Sequence, residues 1–317
     1  MGASGRIGAM RRLVPVLLAA AVVLAGCTGG DDPEPAPEGP GTPTAAPTFA
    51  TDFAELEEEF DARVGVYAID TGTGMVVEHR SDERFAYAST IKAIAVGALL
   101  AEKPREVLDQ VVEFGEDDLV DFSPVLEEAV ERGETELTVR QVADAAVRFS
   151  DNTAGNLLFD LLGGPEELQG VLRDVGDETT IVSRTEPELN EAEPDDERDT
   201  STPAALAATL ATFTLGNEEA GVEDGYDLAF LTDLMVRSTT GDDLIRAGVP
   251  DEWEVADKSG AAEYGTRNDV AVIRRADADP IVLVVMTSKD EQDAEYDDGV
   301  VENAARIVVD ALQPAED

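Results

Sequence analysis

Two residue types from which many hydrolytic and metal sites are built are almost missing from this 317-residue chain, which has one cysteine, Cys27, and one histidine, His79. A single thiol cannot close an intramolecular disulfide. One imidazole and one thiol cannot supply the protein ligands of a zinc hydrolase site. A Ser-His-Asp arrangement would have to use His79, but the alternating stretch MVVEHRSDERF reads as the end of a strand and puts that histidine at an exposed polar position. If the protein is a hydrolase, its base is a lysine or a carboxylate. Cations are scarce too: 23 Lys+Arg stand against 69 Asp+Glu, a formal charge of −46. A field of that sign disfavours nucleic acid and anionic membrane surfaces as partners. Nothing gathers the acids into a metal-binding motif, so the acidity reads as solvation and colloidal stability.

Long apolar runs are also lacking. The longest, Leu13 to Ala25, follows Arg6, Arg11 and Arg12 and ends in Leu24-Ala25-Gly26-Cys27. It is too short for a comfortable membrane span, and a basic flank, a short apolar stretch and small residues describe an export signal over residues 1–26. The Arg11-Arg12 pair is ordinary in such a flank. Residues 27–51, rich in Pro, Gly, Ala and acid with no periodic apolar positions, cannot bury enough to offset their ordering entropy and read as a disordered tether. The folded domain is expected over 52–317; at 43% hydrophobic the chain can build a substantial core.

Only Lys92, Lys103, Lys258 and Lys289 represent lysine, and two of them sit in suggestive places. In STIK, Ser89 and Lys92 are i and i+3 ahead of the helix-forming AIAVGALLAE, so both side chains share one helical face. A desolvated neutral lysine there can take the hydroxyl proton, and a helix N-terminus favours the negative charge that develops. Ser89 could equally be a helix cap. Farther on, FSDNTAGNLL puts Ser150, Asp151 and Asn152 before an apolar run, which alone is a capping pattern. In VADKSGAAEYGTRND, Lys258-Ser259-Gly260 ends a β-type run, Gly265 marks a turn and Arg267 opens the next strand; alone, this is a hairpin with solvated cations.

In order, S-x-x-K, S-D-N and K-S-G form a set found in class A β-lactamases and penicillin-binding proteins. The chain resembles the class A serine β-lactamases from about Asp52 to Ala311, including LVDFSPV at 119–125, DDERDTSTPAAL at 195–206 and TGDDLIRAGVP at 240–250. RTEPELN, residues 184–190, is similar to that family's omega loop. The resemblance implies hydrolysis of penicillin- and cephalosporin-type antibiotics through an acyl-enzyme on Ser89, with Lys92 and Glu186 sharing base duty. Glu186 and Asn190, four residues apart, would hold the hydrolytic water, and Ser150 would relay a proton to the leaving nitrogen. It further implies an oxyanion hole from the N–H groups of Ser89 and Ala261, and Asn152 on the substrate's side-chain amide. Lys258, Ser259, Gly260 and Arg267 fall on the substrate carboxylate, Phe114 on an aromatic wall at the entrance or, alternatively, in the core, and Arg184 and Asp199 on a pair across the loop's neck. No metal or organic cofactor is implied. LAGC resembles a lipobox, which implies lipidation of Cys27 and anchoring to the outer face of the cytoplasmic membrane with partial release, the protein acting as a monomer.

Thr185, where many members carry an aromatic residue, and Ala262, where many carry glycine, bear on spectrum rather than on the reaction. Two other readings are a D-Ala-D-Ala peptidase of the same superfamily, which lacks the omega-loop glutamate, and a non-catalytic lipoprotein with the fold. The expected fold is α/β (α+β), β-lactamase/penicillin-binding-protein-like. An antiparallel sheet flanked by helices takes residues 52–83 and 235–317, and an inserted all-α domain takes 84–234, with the site in the cleft between them.

Overall fold

In the computed structural model, the structure describes residues 49–217, 222 and 226–312. The expected signal, the lipidated Cys27 and nearly all of the tether lie outside them. The first helix, α1 (Ala50–Phe60), starts inside the stretch assigned to the tether, because Phe53 and Leu56 are buried and anchor it to the sheet. After it come β1 (Arg63–Asp70) and β2 (Val76–His79), paired as an antiparallel hairpin. The inserted segment holds β3 (Phe85–Ala86), α2 (Ile91–Glu102), β4 (Val111–Glu113), α3 (Pro124–Glu131), β5 (Glu136–Thr138), α4 (Val139–Arg148), α5 (Asn152–Leu162), α6 (Pro165–Asp174), β6 (Thr200–Ser201), α7 (Pro203–Leu215) and α8 (Tyr226–Val236). The chain then returns through β7 (Glu254–Ala262), β8 (Thr266–Arg275) and β9 (Ala278–Ser288) to α9 (Asp298–Leu312).

The five long strands form one antiparallel sheet in the order β2-β1-β9-β8-β7. Its middle strand, β9, reads IVLVVM without polar interruption because both of its faces are covered. Ile281, Leu283 and Val285 join Phe53, Val301 and Val308 in the core beneath α1 and α9. Val282, Val284 and Met286, one residue out of phase, join α2, α7 and α8 on the other side. Helix α2 is buried from Ile91 to Leu99, as a helix apolar on every side must be, and forms the axis of the helical part.

Two corrections to the sequence boundaries follow. The inserted part is not all helix: β3 pairs with β6 and β4 pairs with β5. These ribbons are too short for an alternating pattern to show. Met235, assigned to the sheet part, belongs to the helical core, whereas Leu244 and Ile245 pack under α9, so the chain crosses back between them. His79 is not the exposed position expected; it stacks on Phe53 with centroids 5.1 Å apart and lies 3.4 Å from Glu57.

Leu283 is wholly buried in the sheet's middle strand. Leu283→Ala should therefore lower unfolding free energy by about 2–5 kcal/mol, read by chemical denaturation. A loss below about 1 kcal/mol would mean that this face repacks freely.

Candidate active site

Ser89 lies in a 3₁₀ turn, Ala88–Thr90, that leads directly into α2. Ala88 takes a left-handed backbone with φ +50, and Thr90 ties the turn down by donating to the Tyr87 carbonyl at 2.6 Å. Ser89 is thus not the helix cap. Lys92 is one turn on and completely buried. Its ammonium donates to Ser89 Oγ at 2.9 Å, to the Ser150 carbonyl at 2.8 Å and to Asn152 Oδ1 at 2.6 Å, and Glu186 Oε1 lies 2.9 Å away. Burial pulls the Lys92 pKa below the ordinary lysine value, and the Glu186 carboxylate opposes that shift. Ser89 Oγ also donates to Glu186 Oε1 at 3.2 Å. The hydroxyl is therefore bracketed by a proton donor and a proton acceptor. Helix α5 can approach this lysine because residue 155 is glycine: a Cβ there would lie 2.8 Å from Lys92 Cε.

Glu186 is presented by the loop that Arg184 and Asp199 close. Asp199 is fully buried and accepts from Arg184 Nε at 2.5 Å, from the Ser183 and Arg184 N–H groups at 2.9 and 3.0 Å, and from the Tyr87 hydroxyl at 3.0 Å. Arg184 also pairs with Glu191. Within the loop a 3₁₀ turn, Glu188–Asn190, brings Asn190 Nδ2 to 2.5 Å from Glu186 Oε2. Asn156 had no sequence assignment, yet it fixes the loop from below. Its Oδ1 accepts the Glu186 N–H and its Nδ2 donates to the Glu186 carbonyl, each at 2.8 Å. It lies one turn beyond Asn152 on α5, a spacing that puts both amides on one helical face.

Asp151, not Ser150, caps α5: Oδ1 accepts from the Ala154 N–H at 2.8 Å. Its Oδ2 accepts from the Val125 and Leu126 N–H groups at 2.9 and 3.0 Å, so one buried carboxylate serves the first turns of α3 and α5. Ser150 is left free of that task, with φ +57, and its Oγ accepts from Lys258 Nζ at 2.9 Å. Lys258 is completely buried and also donates to the Ser259 carbonyl at 2.6 Å. Burial, and then the charge of Lys92, bring its pKa down to about 7. Ser259 Oγ is 2.7 Å from Thr240 Oγ1, a partner outside the sequence motifs. A side chain at Gly260 would press on the Tyr87 carbonyl at 3.1 Å and Ala88 Cβ at 3.2 Å, so glycine lets β7 run against the nucleophile's turn. Ala261 pairs with Arg267 across the β7–β8 hairpin.

A cavity of about 320 Å³ opens here, lined among others by Ser89, Ser150, Asn152, Asn190, Ala261 and Arg267. Two expectations change. Phe114 is not its aromatic wall: 5% exposed, it packs in the helical core. Phe122, at 62% exposure and φ +62, lines the cavity instead, with Tyr296 also part of the lining. The physical difference is that Phe114 follows β4 into the core, whereas Phe122 sits in the loop before α3. Nor is Arg267 an isolated cation: Nε donates to Asp298 Oδ1 at 2.6 Å, and the guanidinium carbon lies 4.9 Å from the Tyr296 ring centroid.

Residues 48–312 match the model of the Beta-lactamase enzyme family. The chain is 48% identical over 303 residues to a β-lactamase of Bacillus licheniformis, covering 96% of this chain and 95% of that one. Among solved structures, a halotolerant bacterial β-lactamase superposes with a TM-score of 0.78 at 51% identity, covering 82% of this chain and 97% of that one. A class A β-lactamase from Clostridium kluyveri gives 0.79 at 41% identity, over 83% and 98%.

Removing Arg184 strips a buried carboxylate of its cation. Arg184→Ala should cost about 3–5 kcal/mol locally and expose the 185–198 segment to limited proteolysis ahead of global unfolding. An unchanged cleavage pattern would show that Tyr87 and the backbone N–H groups suffice to hold Asp199.

Proposed function

The chain belongs to the class A serine β-lactamase family, and on that premise we propose how its own residues carry out the reaction. It hydrolyses the β-lactam amide of penicillin- and cephalosporin-type antibiotics and so confers resistance. The observation that carries the assignment of roles is the position of Ser89 Oγ, 2.9 Å from Lys92 Nζ and 3.2 Å from Glu186 Oε1.

Ser89 Oγ attacks the lactam carbonyl, and its proton passes to the Lys92–Glu186 pair, which shares the base duty. The N–H groups of Ser89 and Ala261 stabilise the oxyanion. As the intermediate collapses, the ring C–N bond breaks, the acyl group stays on Ser89, and Ser150 hands a proton to the departing nitrogen. Ser150 is suited to this because its hydroxyl accepts from Lys258 and can be reprotonated from there. Glu186, aided by Asn190, then takes a proton from a water that attacks the ester; Ser89 is regenerated and the ring-opened acid leaves. Asn152 accounts for the substrate's side-chain amide, and Lys258, Ser259, Gly260 and Arg267 for its carboxylate, where charge-assisted hydrogen bonds are strongest.

The same reading takes the protein as an exported lipoprotein, anchored through Cys27 to the outer face of the cytoplasmic membrane and partly released, working as a monomer. Support comes from LAGC behind a basic flank and short apolar run, and from the Pro- and acid-rich segment that follows. Cys27→Ala should leave the protein unprocessed or released while activity persists. Cell fractionation checks this; an unaltered distribution between membrane and medium would refute the anchor.

The roles themselves are tested at Glu186. Glu186→Ala should still be acylated by a good penicillin but deacylate ~10²–10⁴-fold more slowly, the usual value of a general base. Intact-mass spectrometry should then find a persistent adduct of full penicillin mass on the variant and none on the parent at steady state. Turnover equal to the parent's would remove Glu186 from the mechanism, and an adduct already persistent on the parent would point to a penicillin-binding protein.

A further inference from the structure

Asn268 has no part in the mechanism above, yet it joins the two walls of the cleft. It is wholly buried in β8, directly opposite Gly260 of β7. Its Nδ2 donates to the Ala86 carbonyl at 2.8 Å, and its Oδ1 accepts the Thr287 N–H at 3.0 Å. A carbonyl can only accept and an N–H only donate, so both ends of the amide are committed and its orientation is fixed. The backbone pairing of β8 with β9 reaches Asp269, opposite Val285. Past that pair side chains link the strands: besides the Asn268 amide, Thr287 Oγ1 accepts the Arg267 N–H at 2.9 Å and donates to the Arg267 carbonyl at 2.8 Å. Asn268 thus spends one end on its own sheet and the other on Ala86, three residues before Ser89. On the far side, Ala86 pairs with Thr200 of β6, and the Tyr87 N–H donates to the Asp199 carbonyl at 3.2 Å. The segment that carries the nucleophile is held between the end of the 184–199 loop and the sheet.

We propose that Asn268 is a positioning residue for the oxyanion hole, setting the separation of its two N–H groups by hydrogen-bonding the sheet to the nucleophile's segment. This rests on the reading of the Ser89 and Ala261 N–H groups as that hole. The two donors come from different walls, Ser89 from the 88–90 turn and Ala261 from β7, and they must converge on one oxygen that gains charge in the transition state. Gly260 packs on the Tyr87 carbonyl and on Ala88, which sets how near β7 comes but not how it slides along the turn. A hydrogen bond is directional and resists sliding. Ala261 follows Gly260, whose cross-strand partner is Asn268, so the path from one donor to the other runs through this amide. Losing the tie lets the walls shift and weakens contacts made to the oxyanion, while Arg267 and Asn152, held by other partners, keep their places. The loss then appears in kcat and not in KM.

The test compares Asn268→Ala with Thr287→Val in the full chain, using a good penicillin. Thr287→Val removes two hydrogen bonds from the same strand end but none from the nucleophile's segment, so it controls for fraying of the sheet. Thermal melting checks that both fold. Should Asn268→Ala fail to fold, Asn268→Asp carries the same test: it keeps the shape and the acceptor for Thr287 but turns an oxygen on the Ala86 carbonyl. In the Asn268 variant kcat and kcat/KM should fall together by roughly 10- to 100-fold, the scale of a misplaced or lost oxyanion donor, with KM within about twofold. In Thr287→Val kcat should stay within about threefold of the parent, any larger change falling on KM through Arg267. A second readout is the ester carbonyl of the acyl-enzyme, followed by infrared difference spectroscopy in the Glu186→Ala background. Two N–H donors polarise that carbonyl and lower its stretching frequency relative to the denatured adduct, and Asn268→Ala should move the band back towards the denatured position. An unchanged kcat, a loss equal to that of Thr287→Val, or an unmoved band would overturn the inference. A failure of the underlying reading looks different: with Asn268 intact, the native and denatured adducts would then share one carbonyl frequency. The kinetic comparison holds whether or not the Glu186→Ala adduct accumulates.

Discussion

A lysine ammonium with no access to water is the constraint around which the site is organised. Lys92 comes from α2, but its acceptors are on the turn before that helix, on the start of α5 and on the 184–199 loop. Burying an ammonium is costly unless every donor is met and a counter-charge is near. Meeting both conditions requires three separate segments to converge on one nitrogen. Gly155 lets α5 come close enough, and Asp151 holds the start of α5 against α3, so that the Ser150 carbonyl and Asn152 Oδ1 stay on station. The nucleophile's surroundings are therefore a consequence of satisfying Lys92.

The counter-charge, Glu186, is on a loop with little regular structure, and it is fixed by buried polar contacts rather than by a hydrophobic face. Asp199 gathers four donors at the neck, while Asn156 takes both backbone groups of Glu186. Each of these contacts is made where water is largely excluded, so a partner lost is not replaced. That is why a loop can position a carboxylate as closely as a helix would. The twofold-covered sheet gives the opposite wall its rigidity: β7 carries Lys258 to Ala261 past the 87–90 turn, and Gly260 permits the contact.

Electrostatically, the cleft is less cationic than its residues suggest. Lys258 is poised near neutrality by burial, and Arg267 shares its charge with Asp298. On β7, burial raises the pKa of Asp257 above the ordinary carboxylate value, against the opposing pull of its partner Arg246. In a chain with three times as many acids as bases, many of the described arginines are paired with carboxylates, including one at the mouth of the site.

Local signals in the sequence marked the motif residues that the structure brings together, but not the short ribbons β3–β6 and β4–β5. Scarcity of His and Cys argued against a zinc hydrolase site and a Ser-His-Asp arrangement, and STIK, SDN and KSG each placed their residues at the start of a helix or along a strand. Such features depend on residues near one another in the chain, so periodicity and motif spacing expose them. What tertiary structure decided involves partners far apart in sequence: Asn156 under Glu186, Tyr87 on Asp199, Thr240 beside Ser259 and Asp298 on Arg267. An asparagine or aspartate carries no local mark of the distant group it will meet in a chain with 69 acids. The same limit explains Phe114 and Phe122: both are single aromatics in short irregular stretches, and only the packing of β4 and of the loop before α3 sends one inward and leaves the other at the cavity's edge.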